Sequence, residues 1–207
     1  MEGVWTLLNL NQFKSPQEPI KILGSGGLAR EIYSALIGEG CSPNQIEMID
    51  LKMESNLPLN SLVLLGMGSP SSRSICFNLN KQRLVFPVYI NANAHIGYSN
   101  EIREGTTVCS GCIITTNVVL EKGCYINLQV SIGHDAHIGE FSVVNPGATI
   151  SGGVKIGSRV MIGANSTVLE NISIGNDATI GAGAVVTRNV ADGETVVGVP
   201  ARPISRA

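Results

Sequence analysis

The chain has 207 residues, 14 Lys+Arg against 16 Asp+Glu for a net charge of −2, and only 14% charged and 4% aromatic residues beside 24 glycines. That composition is too apolar for a disordered chain, and without a Lys/Arg run it offers nothing to a nucleic-acid backbone. No apolar run approaches the roughly 20 residues that span a bilayer, and five cysteines, an odd number, favour a reducing cytoplasm over a disulfide scaffold.

Residues 1–19 (MEGVWTLLNLNQFKSPQEP) lack a basic start and a clean apolar core, so they read as a poorly ordered or strand-like leader rather than a signal peptide. Residues 20–24 form a short apolar strand that runs into Gly24-Ser25-Gly26-Gly27, and 28–40 (LAREIYSALIGEG) follow as a helix. Residues 45–50 are a second strand ending at Asp50 and residues 62–66 a third. Ser69-Pro70 supplies an N-cap and N1 pair for the next helix. This is a small, Rossmann-like βαβ unit over 20–87.

GSGGLA nearly matches G-x-G-x-x-G/A between a strand and a helix, where backbone amides can cradle a phosphate. Asp50, 24 residues beyond Gly26, can accept from a ribose or a base. A tight structural turn is the other reading of the same glycines. The unit is too short for a full dinucleotide fold, so NAD is not expected.

From Ile90 the texture changes. Every sixth residue up to Val186, seventeen in all, is Ile, Val or Leu. Neither the 3.6 period of a helix nor the period of two of a strand gives that pattern. Two residues before a rung the chain is mostly small (Ala94, Cys112, Cys124, Ala136, Ala148, Ala178), and the residue after it is often Gly or Asn, types suited to unusual backbone angles. Three short strands and three corners make a coil of 18 residues, the hexapeptide-repeat β-helix, over 88–190 with a tail at 191–207. The phase never slips, so function must sit on the faces and corners of this prism.

Cys109 and Cys112 form a C-x-x-C, but Cys112 and Cys124 occupy the small slot before a rung, so neither metal nor redox use is expected. The three histidines, His95, His134 and His137, are not separated by multiples of 18, so no zinc site is expected either.

SIGHDAHIGEF (131–141) places His134 and Asp135 at a corner. Eighteen residues on are Gly152 and Gly153, and seven back is Asn127, stacked beneath Asn145. An imidazole, a carboxylate, an amide and an exposed glycine N–H pair are thus expected to gather at one corner. Asp135 would orient the ring and leave the other nitrogen free as a base, while a glycine N–H polarises a carbonyl. Two solvated polar residues at a turn are the plain alternative.

The segments ILGSGGLAREI, INLQVSIGHDAHIGEFSVVNPGATISGGVKIG, IGAGAVVTRNV and VVGVPAR, in that order over residues 20–204, resemble the sugar O-/N-acyltransferases of the sialic-acid O-acetyltransferase type. The resemblance implies a left-handed β-helix, a homotrimer, and acetyl-CoA in the groove between subunits. It also implies a nucleotide-linked amino-deoxysugar acetylated directly on nitrogen, with O-acetylation of a sugar such as sialic acid as the alternative. A non-enzymatic trimeric scaffold is a third, from a different class. By position, His134 is the general base, Asp135 orients it and Asn127 supports the corner. Gly152 presents its N–H to the thioester, and Ala164 and Ala182 line a pantetheine path running toward 197–202. Gly24, Ser25, Gly26, Asp50 and Gly66 contact the nucleotide sugar. Val143 stands beside the acetyl group where other members carry a second histidine. The family's Gly-His-Gly-Arg reads Gly27-Leu28-Ala29-Arg30 here.

Overall fold

The computed structural model of the chain describes residues 19–204, so the expected leader, Pro19 apart, and the last three residues of the tail lie outside the described residues. Strands β1 (Ile20–Leu23), β2 (Ile46–Ile49) and β3 (Val63–Leu65) form a parallel sheet in the order β2-β1-β3. Helix α1 (Gly27–Gly38) crosses from β1 to β2, completing the expected βαβ unit, and α2 (Pro70–Asn80) follows β3. Ser69 Oγ accepts from Ser72 N at 3.4 Å with Pro70 in the first turn, which is why α2 starts there.

Seventeen two-residue strands follow, from Tyr89–Ile90 to Val185–Val186, on three parallel sheets. Each residue pairs with the one 18 further on: Tyr125 with Val143, Ser131 with Thr149, His137 with Lys155. The rungs Ile126, Val144 and Ile162 are all 0% exposed, and the small residues Cys112, Cys124, Ala136 and Ala148 fill the corners of the same core. This is a parallel β-solenoid of about six turns. The prism extends past residue 190, where the sequence suggests a tail: Thr195–Val197 pairs with Thr179–Ile180 at a spacing of 16 rather than 18.

Unusual backbone angles occur at the corners, but not where the glycines after each rung suggest. The left-handed residue is the third after the rung, as at Asn117 (φ 56), Gln129 (φ 57) and Asp135 (φ 59). Gly133, Gly139 and Gly163 are small for another reason: a Cβ there would stand 2.6, 2.4 and 2.4 Å from backbone atoms of the next coil.

The βαβ unit is docked on one face of the prism. Tyr89, Tyr125 and Val143 point outward from that face and are buried with Ile32 and Leu36 of α1. Glu39, at the end of α1, accepts from Ala92 N (2.6 Å) and Tyr89 Oη (3.0 Å) on the first coil. Arg73 of α2 is fully buried and spans both units. It donates to the carbonyls of Leu65 and Met67 on one side and Gly105, Gly123 and Cys124 on the other. The second face presents Ile113, Ser131, Thr149, Thr167 and Val185, with His95 as its one ionisable side chain; the third carries Glu101, His137 and Lys155. Among the described residues no helix is long and apolar enough to cross a membrane.

Candidate active site

At the corner between the second and third faces, His134 Nδ1 lies 2.8 Å from Asp135 Oδ2. Both side chains are exposed, at 67% and 58%. The coils above and below hold the corner rigidly: Gly153 N donates to His134 O (2.8 Å), and Asp135 N donates to Thr116 O (3.1 Å). Asp135 Oδ1 accepts from Asn117 Nδ2 at 3.2 Å. The bond to His134, and then the one from Asn117, hold the Asp135 carboxyl below the usual carboxylate range.

With Nδ1 on the carboxylate, Nε2 faces the next coil. A Cβ at Gly152 would stand 2.6 Å from it, so the ring stacks over a position that only glycine leaves open. The expected pair of free amides is reduced to one, because the Gly153 N–H is spent on His134 O. The Gly152 N–H has no partner among the described residues, and Gly152 is itself buried under the corner.

Asn127 does not join His134 within the chain. It follows a strand of the docked face (Tyr125–Ile126), whereas His134 follows the next strand (Ser131–Ile132) on the second face. An offset of seven is one strand plus one corner, so the two residues occupy successive corners of the triangle. Asn127 is 6% exposed and its Oδ1 accepts from Leu128 N at 2.7 Å. Ala164 and Ala182 stack on that same earlier corner, above Leu128 and Pro146. Val143, set beside the acetyl group by the resemblance, is 1% exposed within the single chain and packed beneath α1.

The glycine-rich turn lies in the βαβ unit, between β1 and α1. Gly24, Ser25, Gly26, Gly27, Asp50 and Gly66 line one open cleft of about 380 Å³ with Met67 and Gly68. Their roles differ. Gly24 has φ 116, and a Cβ on Gly66 would stand 2.8 Å from Leu23 O, so these two are small for the turn and its packing. Gly26 and Gly27 have open space where a Cβ would be, which leaves the start of α1 accessible to a phosphate. Asp50 Oδ1 accepts from Lys52 N at 2.9 Å, capping a 3₁₀ turn at the edge of this cleft.

Burial holds all five cysteine thiols above their ordinary range. Burial pushes Cys109 up to about 12, and its Sγ donates to Tyr125 Oη at 3.1 Å. Among the described residues no group of three or more His, Cys, Asp or Glu could hold a metal ion. Asn117 and Arg73 escape the sequence reading. Asn117 is 18 residues before Asp135, so the stacking rule that finds Gly152 also points to it; nothing in the sequence marks Arg73.

Two profiles match the prism: "Bacterial transferase hexapeptide (six repeats)" over 153–188 and "Hexapeptide repeat of succinyl-transferase" over 87–122. No curated protein sequence matches the chain. Among solved structures, the chain is similar to perosamine N-acetyltransferase from Caulobacter crescentus with CoA and GDP-perosamine bound (21% identity, 92% of this chain, 99% of that one, TM-score 0.82). It is similar to the acetyltransferase domain of PglB from Neisseria gonorrhoeae FA1090 in complex with acetyl coenzyme A (25%, 91% and 100%, TM-score 0.82). It is likewise similar to WeeI from Acinetobacter baumannii AYE (25%, 90% and 100%, TM-score 0.81). The repeats, the βαβ unit and these likenesses define a hexapeptide-repeat protein with the architecture of the sugar acyltransferases.

Proposed function

We propose that the protein transfers the acetyl group of acetyl-CoA to the amino group of a nucleotide-linked amino-deoxysugar. The observation that carries this reading is His134, with Nδ1 held by Asp135 and Nε2 set over Gly152 without a partner among the described residues. The amine nitrogen attacks the thioester carbonyl, and Nε2 takes the proton that nitrogen loses. The developing oxyanion accepts from the Gly152 N–H. Collapse breaks the C–S bond, and the imidazolium returns its proton to the departing thiolate. No acyl-enzyme is needed, since no cysteine stands at this corner.

The site is shared between chains. The cleft at Gly26 belongs to the unit docked on the first face, while His134 lies on the opposite edge of the same prism. A trimer with the second faces turned toward its axis resolves this. That face lacks carboxylates, lysines and arginines and suits burial. Its two edges are the corner of His134 and Gly152 and the corner of Asn127, Ala164 and Ala182. In a ring of three, the first edge of one subunit meets the second edge of its neighbour. Acetyl-CoA then lies along Ala164 and Ala182 of one subunit with its thioester at His134 of the next. The bound CoA, acetyl-CoA and GDP-perosamine of the similar structures support this choice of ligands, and the named N-acetyltransferase supports nitrogen over oxygen as acceptor.

The test is thiol release from acetyl-CoA with nucleotide-linked 4-amino sugars and their 4-hydroxy counterparts. Release with amino sugars alone is expected. Release with hydroxy sugars alone would make the protein an O-acetyltransferase, and release with neither would leave a scaffold.

A further inference from the structure

Asn117 holds the carboxylate that holds the base. Its Nδ2 donates to Asp135 Oδ1 at 3.2 Å while Oδ2 of the same carboxylate meets His134 Nδ1 at 2.8 Å. Asn117 is itself pinned from the coil beneath. Its N–H donates to Tyr98 O at 3.3 Å, and the hydroxyl of Thr116 donates to the same carbonyl at 2.8 Å. A carboxylate this exposed, bonded only to the ring, turns freely about its last torsion. With both oxygens engaged, its plane is fixed, and so is the nitrogen of His134 that keeps the proton.

We propose that Asn117 is a positioning residue for acetyl transfer, anchoring Asp135 so that His134 presents a bare Nε2 toward Gly152. This rests on the reading of His134 as the base. The anchoring is also visible without catalysis, in the tautomer of the imidazole.

A merely structural role has a different signature. Asn117 sits at φ 56, where asparagine is tolerated for its backbone alone. Asn117→Gly keeps that backbone and deletes only the amide, so it separates the two roles. Three readouts are taken on Asn117→Gly: thermal unfolding, steady-state kinetics, and ¹⁵N NMR of the His134 ring. The melting temperature should stay within about 2 °C. Turnover should fall roughly 3- to 10-fold with KM for acetyl-CoA within about twofold, the size of one lost hydrogen bond. The ring should pass from a single Nδ1–H tautomer to a mixture, and the Asp135 carboxyl should titrate higher than in the parent, having lost a donor. Asn117→Asp places a like charge against Asp135 and should disturb the tautomer as well. Parental turnover and an unchanged tautomer in Asn117→Gly would overturn the proposal. A tautomer shift in Asn117→Gly combined with full turnover in His134→Gln would uphold the anchoring and remove His134 as the base instead, so the two failures are distinguishable.

Discussion

His134 Nε2 lies 2.6 Å from the point where a Cβ on Gly152 would stand, one coil above. Gly152 lacks the positive φ of its neighbour Gly153 (φ 68), so its backbone accepts alanine. The cost of Gly152→Ala therefore falls on the imidazole, which is exposed and swings away. Turnover should drop by about 10- to 100-fold for a base displaced by an ångström or so, with little change in melting temperature. Steady-state kinetics beside a thermal melt checks this; undiminished turnover would mean the ring does not work where it stands.

Asp135 has φ 59, a conformation that asparagine adopts at lower cost than alanine. Asp135→Asn is therefore the clean probe, and it should lower turnover less than His134→Ala, whose loss should reach at least about 10²-fold. Asp135→Ala should in addition lower the melting temperature. The pH dependence has a definite sign. The folded carboxyl titrates below its ordinary 3.8, so the orienting contact is present above that value and is lost as pH falls through the lowered one. A decline in rate seen above about pH 5 does not report this carboxylate, and it should persist in Asp135→Asn. A pH–rate profile of that variant decides.

Arg73 is 0% exposed and donates to five backbone carbonyls from the two units. Burial lowers its guanidinium to about 10, and it stays protonated at neutral pH. Arg73→Met removes the guanidinium from all five carbonyls, of which Cys124 O keeps a donor in Thr107 N (2.9 Å), and should cost about 3–5 kcal/mol in urea unfolding. Lysine, with three donors on a point charge, should recover only part of that. Met67, one of the carbonyl partners, also lines the cleft at Gly26, so KM for the acceptor should rise even where the fold survives.

The corners predict a contrast between two neighbouring substitutions. A Cβ on Gly163 would stand 2.4 Å from Ala182 N, so Gly163→Ala should cost about 2–3 kcal/mol as the coils are forced apart. Asn165 has φ 54, and Asn165→Gly should be neutral within about 0.5 kcal/mol. Urea midpoints of the two variants measure the difference.

The prism is legible in the sequence because its inward positions answer to one constraint. Ile126, Val144 and Ile162 face the core whatever surrounds them, so the period of six survives undisturbed. Stacking by 18 is equally local, and it brings His134 to Gly152 as the arithmetic says. Offsets that are not multiples of 18 carry no such guarantee, which is why Asn127 falls on another corner. Val143 is outward on its strand, as the pattern requires, but its burial is decided by α1, which the repeat knows nothing about. The glycines after the rungs are needed for the approach of adjacent coils rather than for φ, a distinction that requires the neighbouring coil. Arg73 is invisible for the same reason: its acceptors are carbonyls up to 51 residues away.

In the proposed trimer the cleft at Gly26 of one subunit serves His134 of the next. Gly26→Val projects a side chain into open space in the cleft and should abolish use of the nucleotide sugar while sparing acetyl-CoA binding. His134→Ala removes the base. Each variant alone should be inactive. Co-expressed under two different tags and purified through both, the two chains should form mixed rings of the proposed trimer, each with one junction of an intact cleft followed by an intact His134. Activity should return to about a third of the parent value. Mixed trimers as inactive as either variant would place cleft and base in the same chain and contradict the account.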